Sequence, residues 1–381
     1  MDVHQLAPAE SRSQAILSAS PLLAAKSPES GHPEFRYRRI FGSLNGLRAL
    51  SVVAVIWHHT TGPHVSALLA SGPHGVTLFF AISGFLIVTL LLRERDRTGQ
   101  IDLKAFYIRR SLRIFPLYYA VVAIYALLVF VIERNNPVGR EFFNNLPFFL
   151  TYTSNWFVLL EGRVIFYFAW SLAAEEQFYL VWPTVQKFFS PKHALATVIA
   201  AIIVVTSTQL MSTGDVGNTT GLHRIVIGIP LAICFGVVLA YAMHHQRSFD
   251  ALRWVFASRW SSLAWFSVLL ASLNWRTAPD VLVHAAAAMF VGACVYREDH
   301  WLAPLLRLRG LVHVGAVSYG IYLLHMLVKN TILKLAGVVH IDLSTYAVFV
   351  LTVAGSIIVA SLSFHYFEAI FQRTKQRNYV A

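Results

Sequence analysis

An arginine and a histidine lie eleven residues apart in one apolar stretch, LNGLRALSVVAVIWHH. At 3.6 residues per turn, Arg48 and His59 share one side of a helix about 16 Å apart, whereas His58 points about 100° away. A neutral imidazole can take a proton from an attacking hydroxyl, and an arginine can orient an acyl carbonyl or bind an anionic donor. The plainer alternative is that Arg48 marks the cytosolic end of a membrane span and the histidines its outer end.

Two adjacent carboxylates, Glu175 and Glu176, lie in the otherwise apolar segment WSLAAEEQFYLVWP. Ionisable groups at membrane depth are costly, and both carboxylates cannot face lipid, so at least one is expected to face a protein cavity. The alternative is that the pair marks an interface before a span that begins at Phe178.

Three arginines cluster in FYIRRSLRIFPLYY. Arg113 lies four residues after Arg109 and three after Arg110, so on a helix it is a neighbour of each. Guanidinium groups in this arrangement can bind nucleotide phosphates by bidentate contacts. A basic cytosolic loop that meets lipid phosphates would carry the same residues, and that alternative remains open.

A single histidine, His325, interrupts the apolar segment VSYGIYLLHM. We expect Tyr319 and His325, together with Glu176, to bind substrate. The alternative for His325 is that it forms hydrogen bonds inside the helical bundle and does not contact substrate. The two cysteines, Cys234 and Cys294, have no histidine or cysteine at metal-ligand spacing, so no metal site is predicted.

The composition indicates a membrane protein. Of 381 residues, 56% are hydrophobic and only 13% are charged, about half the charged share of an average globular chain. A net charge of +12 would suggest nucleic acid in a soluble protein. Here the basic residues lie between apolar runs, which the positive-inside rule explains without a nucleic-acid partner.

The apolar stretches predict an all-α, polytopic membrane helical bundle with about ten transmembrane helices, because each approaches the roughly 20 residues that cross a bilayer. The predicted spans are 41–59, 75–92, 114–132, 164–186, 194–211, 225–243, 260–275, 280–296, 311–333 and 345–367. We expect residues 41–371 to form this domain, between a disordered cytosolic arm, 1–40, and a cytosolic tail, 372–381.

Loop charges predict the orientation. The loops 60–74 and 212–222 contain no Lys or Arg, whereas residues 93–113 contain seven. Both termini are therefore expected in the cytosol of a multi-pass inner (cell) membrane protein. Segment 142–160 is apolar, but an extra crossing there would invert every later loop, so we interpret it as re-entrant or interfacial on the outer side.

Four stretches together resemble the acyltransferase-3 family of membrane acyltransferases. They stand in the family's order and are LNGLRALSVVAVIWHH (44–59), GVTLFFAISGFLIVTLLLRERDRTGQIDLKAFYIRRSLRIFPLYY (75–119), WSLAAEEQFYLVWP (170–183) and SYGIYLLHM (318–326). The resemblance covers about residues 41 to 370 and implies about ten spans with both ends in the cytosol.

The family's arginine–histidine motif falls on Arg48 and His59, and its glutamate before Phe-Tyr falls on Glu175. Its paired arginines fall on Arg110 and Arg113, with Arg109 beside them. Two positions depart from the family pattern: Asn45 and Thr77 stand where aspartate is usual. The orientation of His59 and the arginines is therefore left open by the sequence.

The resemblance implies transfer of an acyl group, usually acetyl from acetyl-CoA, to a sugar hydroxyl of an acceptor such as lipopolysaccharide, exopolysaccharide or another glycolipid. Arg109, Arg110 and Arg113 would bind the acyl-CoA co-substrate, and Arg48 would line its path. His59 would act as general base or transient acyl carrier, and Glu175 would hold the histidine or the acceptor. A transporter or flippase for a lipid-linked glycan, or an exporter of small acyl compounds, is the alternative.

Overall fold

The computed structural model describes residues 31–61, 72, 74–211, 221–275 and 277–372, and these are helical with short connections. The helices are α1 His32–Tyr37, α2 Leu44–Thr60, α3 His74–Thr98, α4 Leu103–Ile132, α5 Pro137–Leu150, α6 Ser154–Phe157, α7 Ala169–Phe188, α8 Pro191–Met211, α9 Gly221–Ile227, α10 Leu231–His244, α11 Gln246–Ala251, α12 Arg253–Phe256, α13 Ser261–Asn274, α14 Asp280–Tyr296, α15 Ala303–Leu306, α16 Arg309–Ala316, α17 Ser318–Val338 and α18 Thr345–Leu362. A π-helical turn, Ser363–Glu368, continues α18.

Five of these helices are long and apolar enough to cross a membrane: α3, α4, α8, α17 and α18 with its continuation to Gln372. Helices α9 and α10, bent by 45°, make a sixth if they are one broken span. Helices α13 and α14 are apolar but shorter. The all-helical prediction is therefore confirmed within the described residues, whereas the structure supports five or six spans by length and composition rather than ten.

Helix α3 is the centre of the bundle. In the most apolar 18-residue stretch of α3, 83% of the residues are buried, whereas the corresponding share in the peripheral helix α8 is 17%. Helix α3 packs on α2, α7, α10 and α14. It crosses α10 closely at Gly84 and Gly236, where an added Cβ would overlap the backbone of the opposite helix, at Ile233 and Ala81 respectively. Small residues permit such approaches between membrane helices, so the two glycines let α3 and α10 pack closely.

Helix α1 packs against the bundle, although the sequence analysis assigns its residues to a disordered arm. Phe35 is buried against Phe41 and Phe85. Arg93 donates hydrogen bonds to the carbonyl oxygens of Phe35 and Arg38, at 2.5 and 2.6 Å. The arm's boundary at residue 40 is thus too late for His32–Tyr37, and residues 1–30 lie outside the described residues.

The apolar segment 142–160 is broken rather than one straight helix. Helix α5 ends at Leu150, and the short α6 follows a turn in which Tyr152 has a φ of 53°. Gln177 donates to the Tyr152 carbonyl at 2.7 Å and so ties this turn to α7. The interpretation of this segment as re-entrant or interfacial stays a prediction.

Candidate functional site

Two neighbouring sites contain the residues that the sequence singles out. The first is a cavity of about 80 Å³ between α2, α3, α4, α7 and α17, here called the inner cavity. Its charged and polar lining residues are Arg48, Ser83, Arg110, Arg113, Ser171, Glu175, Glu176, Tyr179, Ser318, Tyr319 and Tyr322. Six residues predicted from four separate sequence segments therefore meet in one place: Arg48, Arg110, Arg113, Glu175, Glu176 and Tyr319.

Glu175 holds one arginine of the inner cavity in place. Its Oε1 lies 3.7 Å from Arg110 and accepts hydrogen bonds from Ser83, at 2.5 Å, and from Tyr179. The Arg110 guanidinium also lies 3.5 Å above the centre of the Tyr179 ring, a cation–π contact. Arg110 is thus oriented from two sides, and its Nε is buried with no hydrogen-bond partner among the described residues.

The inner cavity has more guanidinium than carboxylate groups, because Arg48, Arg110 and Arg113 face only Glu175 and Glu176. Among the described residues, neither Arg48 nor Arg113 has a carboxylate within 4 Å, and Arg48 instead donates to the Asn45 amide oxygen at 3.3 Å. Arginine pairs bidentately with phosphate and carboxylate. The cavity therefore has unused donors for an anion.

The three predicted donor-binding arginines separate in the structure. Arg110 and Arg113 line the inner cavity, whereas Arg109 lies outside the lining, 4.0 Å from Glu94. Adjacent helix positions point about 100° apart, so Arg109 and Arg110 cannot both face one narrow cavity. The motif had suggested one cluster of three.

The second site is a pair of histidines. His59 Nδ1 and His325 Nε2 lie 2.5 Å apart, and the two rings are nearly parallel, at 10°, with centroids 4.8 Å apart. His325 is fully buried on α17, and His59 is partly buried at the C-terminal end of α2. Helix packing thus joins two histidines that are 266 positions apart in sequence.

When both imidazoles are neutral, hydrogen bonding determines their tautomers. His325 Nδ1 lies 2.6 Å from the Tyr322 carbonyl oxygen, which can only accept, so Nδ1 carries the proton. His325 Nε2 must then accept, and His59 Nδ1 donates to it. A neutral His59 keeps an unprotonated Nε2, for which no described residue serves as a hydrogen-bond partner. This is the arrangement of a general base held by an orienting partner.

His59 has two further neighbours. The Tyr167 ring meets it edge-on, with centroids 5.3 Å apart, and Lys329 donates a hydrogen bond to its carbonyl oxygen. Both neighbours line a groove of about 780 Å³ between the ends of α4 and α17 and the segment before α7, here called the outer groove. His58 is exposed, and its ring centroid lies 5.2 Å from that of His59.

Tyr322 connects the two sites. Its ring lines the inner cavity, its carbonyl accepts from His325, and its hydroxyl lies 2.5 Å from Ser171 Oγ. Tyr322 thus links the inner cavity to His325, whereas Tyr167 and Lys329 link the outer groove to His59.

Several contacts were outside the reach of sequence reasoning. The contacts of Glu175 are with Arg110, Tyr179 and Ser83, and the contacts of His59 are with His325, Tyr167 and Lys329. Glu175 was expected to hold the histidine or the acceptor; His59 is not among its described contacts, and contact with an acceptor stays a prediction. Helical spacing could have indicated two of these contacts, because Tyr179 lies four positions after Glu175 and Lys329 four positions after His325. It could not have indicated Ser83 or Tyr167.

The two departures from the family pattern have distinct surroundings. Asn45 accepts from Arg48 through its amide oxygen and so fulfils the acceptor role of a carboxylate without its charge. Thr77 is buried at the outer end of α3, 3.4 Å from His74 Nδ1. Only the first departure touches a predicted site residue.

The chain belongs to a family of membrane acyltransferases: the acyltransferase domain model of the acyltransferase-3 family matches residues 41–363. The match includes both sites.

Among curated proteins, the chain is 28% identical over 377 residues to "Peptidoglycan O-acetyltransferase OatA" of Listeria monocytogenes, covering 90% of this chain and 57% of the relative. It is 27% identical over 364 residues to "Putative peptidoglycan O-acetyltransferase YrhL" of Bacillus subtilis, covering 87% of this chain and 55% of the relative. The chain thus spans less than two thirds of the length of these relatives. No solved structure matches it significantly.

Proposed function

We propose that the protein is a membrane O-acetyltransferase that moves an acetyl group from cytosolic acetyl-CoA to a hydroxyl of a carbohydrate acceptor at the outer side of the membrane. One observation carries the proposal: the hydrogen-bonded pair His59–His325 is linked to a guanidinium-rich cavity through Tyr322 and to an open groove through Tyr167 and Lys329. When both imidazoles are neutral, this arrangement leaves Nε2 of His59 available as a base. Family membership supports the reaction class. The names of the relatives favour a cell-surface glycan such as peptidoglycan as acceptor.

The donor would bind from the side of the inner cavity. Phosphate groups of acetyl-CoA, bound as a co-substrate, would pair with Arg110 and Arg113. The acyl end would extend past Arg48 toward Tyr322. Glu175 is a positioning residue in this scheme, because it holds Arg110 through an ion pair and shares the cation–π partner Tyr179.

The transfer step follows from the tautomer of His59. The acceptor hydroxyl oxygen attacks the thioester carbonyl carbon while its proton passes to His59 Nε2. The carbon–sulfur bond then breaks, and the imidazolium returns the proton to the departing thiolate. The products are the acetyl ester and free CoA. His325 keeps Nε2 as the basic atom, as the third member of a catalytic triad does.

For the membrane arrangement we propose ten spans formed by residues 41–371, with both termini in the cytosol of the inner (cell) membrane. Loop charges support this count, because the positive-inside rule works on alternate loops. Helices that are shorter than a full membrane crossing would tilt little or thin the bilayer locally. Reporter fusions after residues 72 and 340 should be external, and fusions after residues 100 and 250 cytosolic. A cytosolic reporter at residue 72 would overturn this arrangement.

The test of the function is acetyl transfer by the purified full chain in lipid nanodiscs. With radiolabelled acetyl-CoA and peptidoglycan fragments, we expect label on the glycan as an alkali-labile ester and free thiol in equal amount. A transporter, flippase or exporter would form no product that depends on acetyl-CoA. The absence of both thiol and ester with a range of glycans would contradict the proposal.

A further inference from the structure

The outer groove lies directly beside the histidine pair. Two of its lining residues, Tyr167 and Lys329, are the same residues that contact His59. His59 itself does not line the groove, but both of these residues contact it, Tyr167 at the ring and Lys329 at the backbone carbonyl. Resting on the proposed function, the groove is therefore the candidate entrance for an acceptor hydroxyl that approaches His59. The groove also carries information about which acceptor it fits.

The charges of the outer groove are unequal. Its ionisable lining residues are Lys329, Lys334, Arg163 and Glu133. Arg163 and Glu133 form an ion pair at 2.8 Å and cancel each other. Neither Lys329 nor Lys334 has a carboxylate within 4 Å among the described residues. The groove is left with two uncompensated ammonium groups.

The two ammonium groups differ in depth. Lys329 lies next to His59, whereas Lys334, five residues later on α17, lies about 7.5 Å further along the helix and is exposed. Asn330 and Thr331 line the groove beside Lys329 and can hydrogen-bond to sugar hydroxyls. A ligand that extends outward from His59 would pass both lysines.

The rim of the groove is apolar. Leu128, Ile132 and Leu333 line it and expose 41%, 52% and 42% of their surface. An opening bounded by exposed leucine and isoleucine at the outer end of membrane helices faces lipid on that side. A glycan attached to a lipid could therefore enter sideways with its sugar at the lysines.

A second outer pocket, of about 620 Å³, shares only Leu160 with the outer groove and has the opposite charge balance. Its ionisable side chains include the carboxylates Glu161 and Asp280 but only one permanently charged cation, Arg224. Of these two cavities, the one with surplus positive charge is thus the one whose lining residues contact His59.

We propose that the outer groove binds an acceptor that carries a negative charge, either a carboxylate or a phosphate on a carbohydrate, between Lys329 and Lys334. The anion fixes the position of the sugar, and a neighbouring hydroxyl then lies at His59 Nε2. A lipid phosphate offers the same chemistry, so the charge must be shown to come from the acceptor.

The experiment measures binding, not turnover. The full chain in phosphatidylcholine nanodiscs is titrated, by saturation-transfer NMR, with a disaccharide ending in a hexuronic acid and with the matching neutral disaccharide. We expect the acidic sugar to bind at least about tenfold more tightly, the loss typical of one charged contact. Lys334→Gln should remove most of this preference, and added salt should weaken it. Lys192→Gln, which changes an exposed lysine outside the groove, should not.

Equal binding of the two sugars would overturn the inference, and so would a preference for the acidic sugar that survives in both Lys334→Gln and Lys329→Gln. A third contrary result would be that phosphatidylglycerol in the nanodisc changes sugar binding whereas the carboxylate of the sugar does not. Lys334 is exposed at a helix end, so its variant should fold. Acetyl transfer to the neutral sugar, measured alongside, separates failure of this inference from failure of the proposed function. Transfer without charge preference contradicts only the groove assignment.

Discussion

Helices α2 and α17 contribute to both the inner cavity and the histidine pair, but the two sites contain different kinds of polar group. The inner cavity gathers three guanidinium and two carboxylate groups, and one arginine is held by an ion pair and a cation–π contact. The histidine pair is neutral and held by hydrogen bonds to a backbone carbonyl and between the rings.

This difference separates two tasks. Permanent charges bind an anion well but cannot exchange protons near neutral pH, because arginine stays protonated. Neutral imidazoles exchange protons but attract anions weakly. The inner cavity is therefore suited to binding a donor, and the pair to chemistry. Variants in the two sites should change different kinetic constants.

The largest effect is expected at His59. His59→Ala removes the base and should lower the transfer rate by about 10²–10⁴-fold, with CoA binding unchanged. His58→Ala is the matched control, since its ring is exposed and takes no part in the hydrogen bond between His59 and His325. Initial rates of ester formation decide the matter. An inactive His58→Ala beside an active His59→Ala would mean that the chemistry uses the other imidazole.

A smaller effect is expected at His325, which acts through His59. By analogy with the partners that orient metal-bound histidines, His325→Leu should lower kcat at least roughly 10–100-fold and leave KM for acetyl-CoA unchanged. His325→Gln keeps an acceptor for the His59 Nδ1 proton and should recover part of kcat. If Gln and Leu at this position have equal kcat, the tautomer argument fails.

The arginines should affect KM instead. Arg110→Ala or Arg113→Ala removes a charge-assisted contact worth about 1.5–3 kcal/mol, which raises KM for acetyl-CoA with little change in kcat. Arg109→Ala, which changes the neighbouring arginine outside the cavity, should have little effect. Measured CoA affinities provide the check. Comparable losses at Arg109 and Arg110 would show that general surface charge, rather than the cavity, binds the donor.

The smallest effect is expected at Asp299, outside both sites. Hydrogen bonds from Arg297 lower the pKa of Asp299 below its ordinary value. The stabilisation is therefore present above the ordinary carboxyl pKa and is lost as pH falls through the lowered one. Because the pair is partly exposed, Asp299→Asn should cost at most about 1 kcal/mol at pH 7. Thermal unfolding should show the difference at pH 7 and none at pH 2, with activity intact.

Much of the site followed from local spacing. Arg48 and His59 were predicted to share a helix face, and α2 carries one to each site. Periodicity acts within one helix, so it could not pair His59 with His325, nor separate Arg109 from the inner cavity. Those outcomes depend on how helices pack and rotate against each other.

The membrane architecture was predicted less well. Each of the ten predicted spans contains a helix, but the stretch 225–243 is bent by 45° and 260–275 is short. Hydropathy averages over a window and so does not register a break at Pro230, where helix α10 begins. Tyr152, with its positive φ, likewise interrupts 142–160 without a glycine or proline at that position to announce it.

Helix α2 also sets the distance between the two sites. Because Arg48 and His59 stand on one continuous helix, the separation and relative angle of the two sites depend on the ten residues between them. One inserted or deleted residue would turn His59 by about 100° and shift it by about 1.5 Å relative to Arg48. Sequence drift in this stretch can therefore exchange one apolar residue for another but cannot change their number.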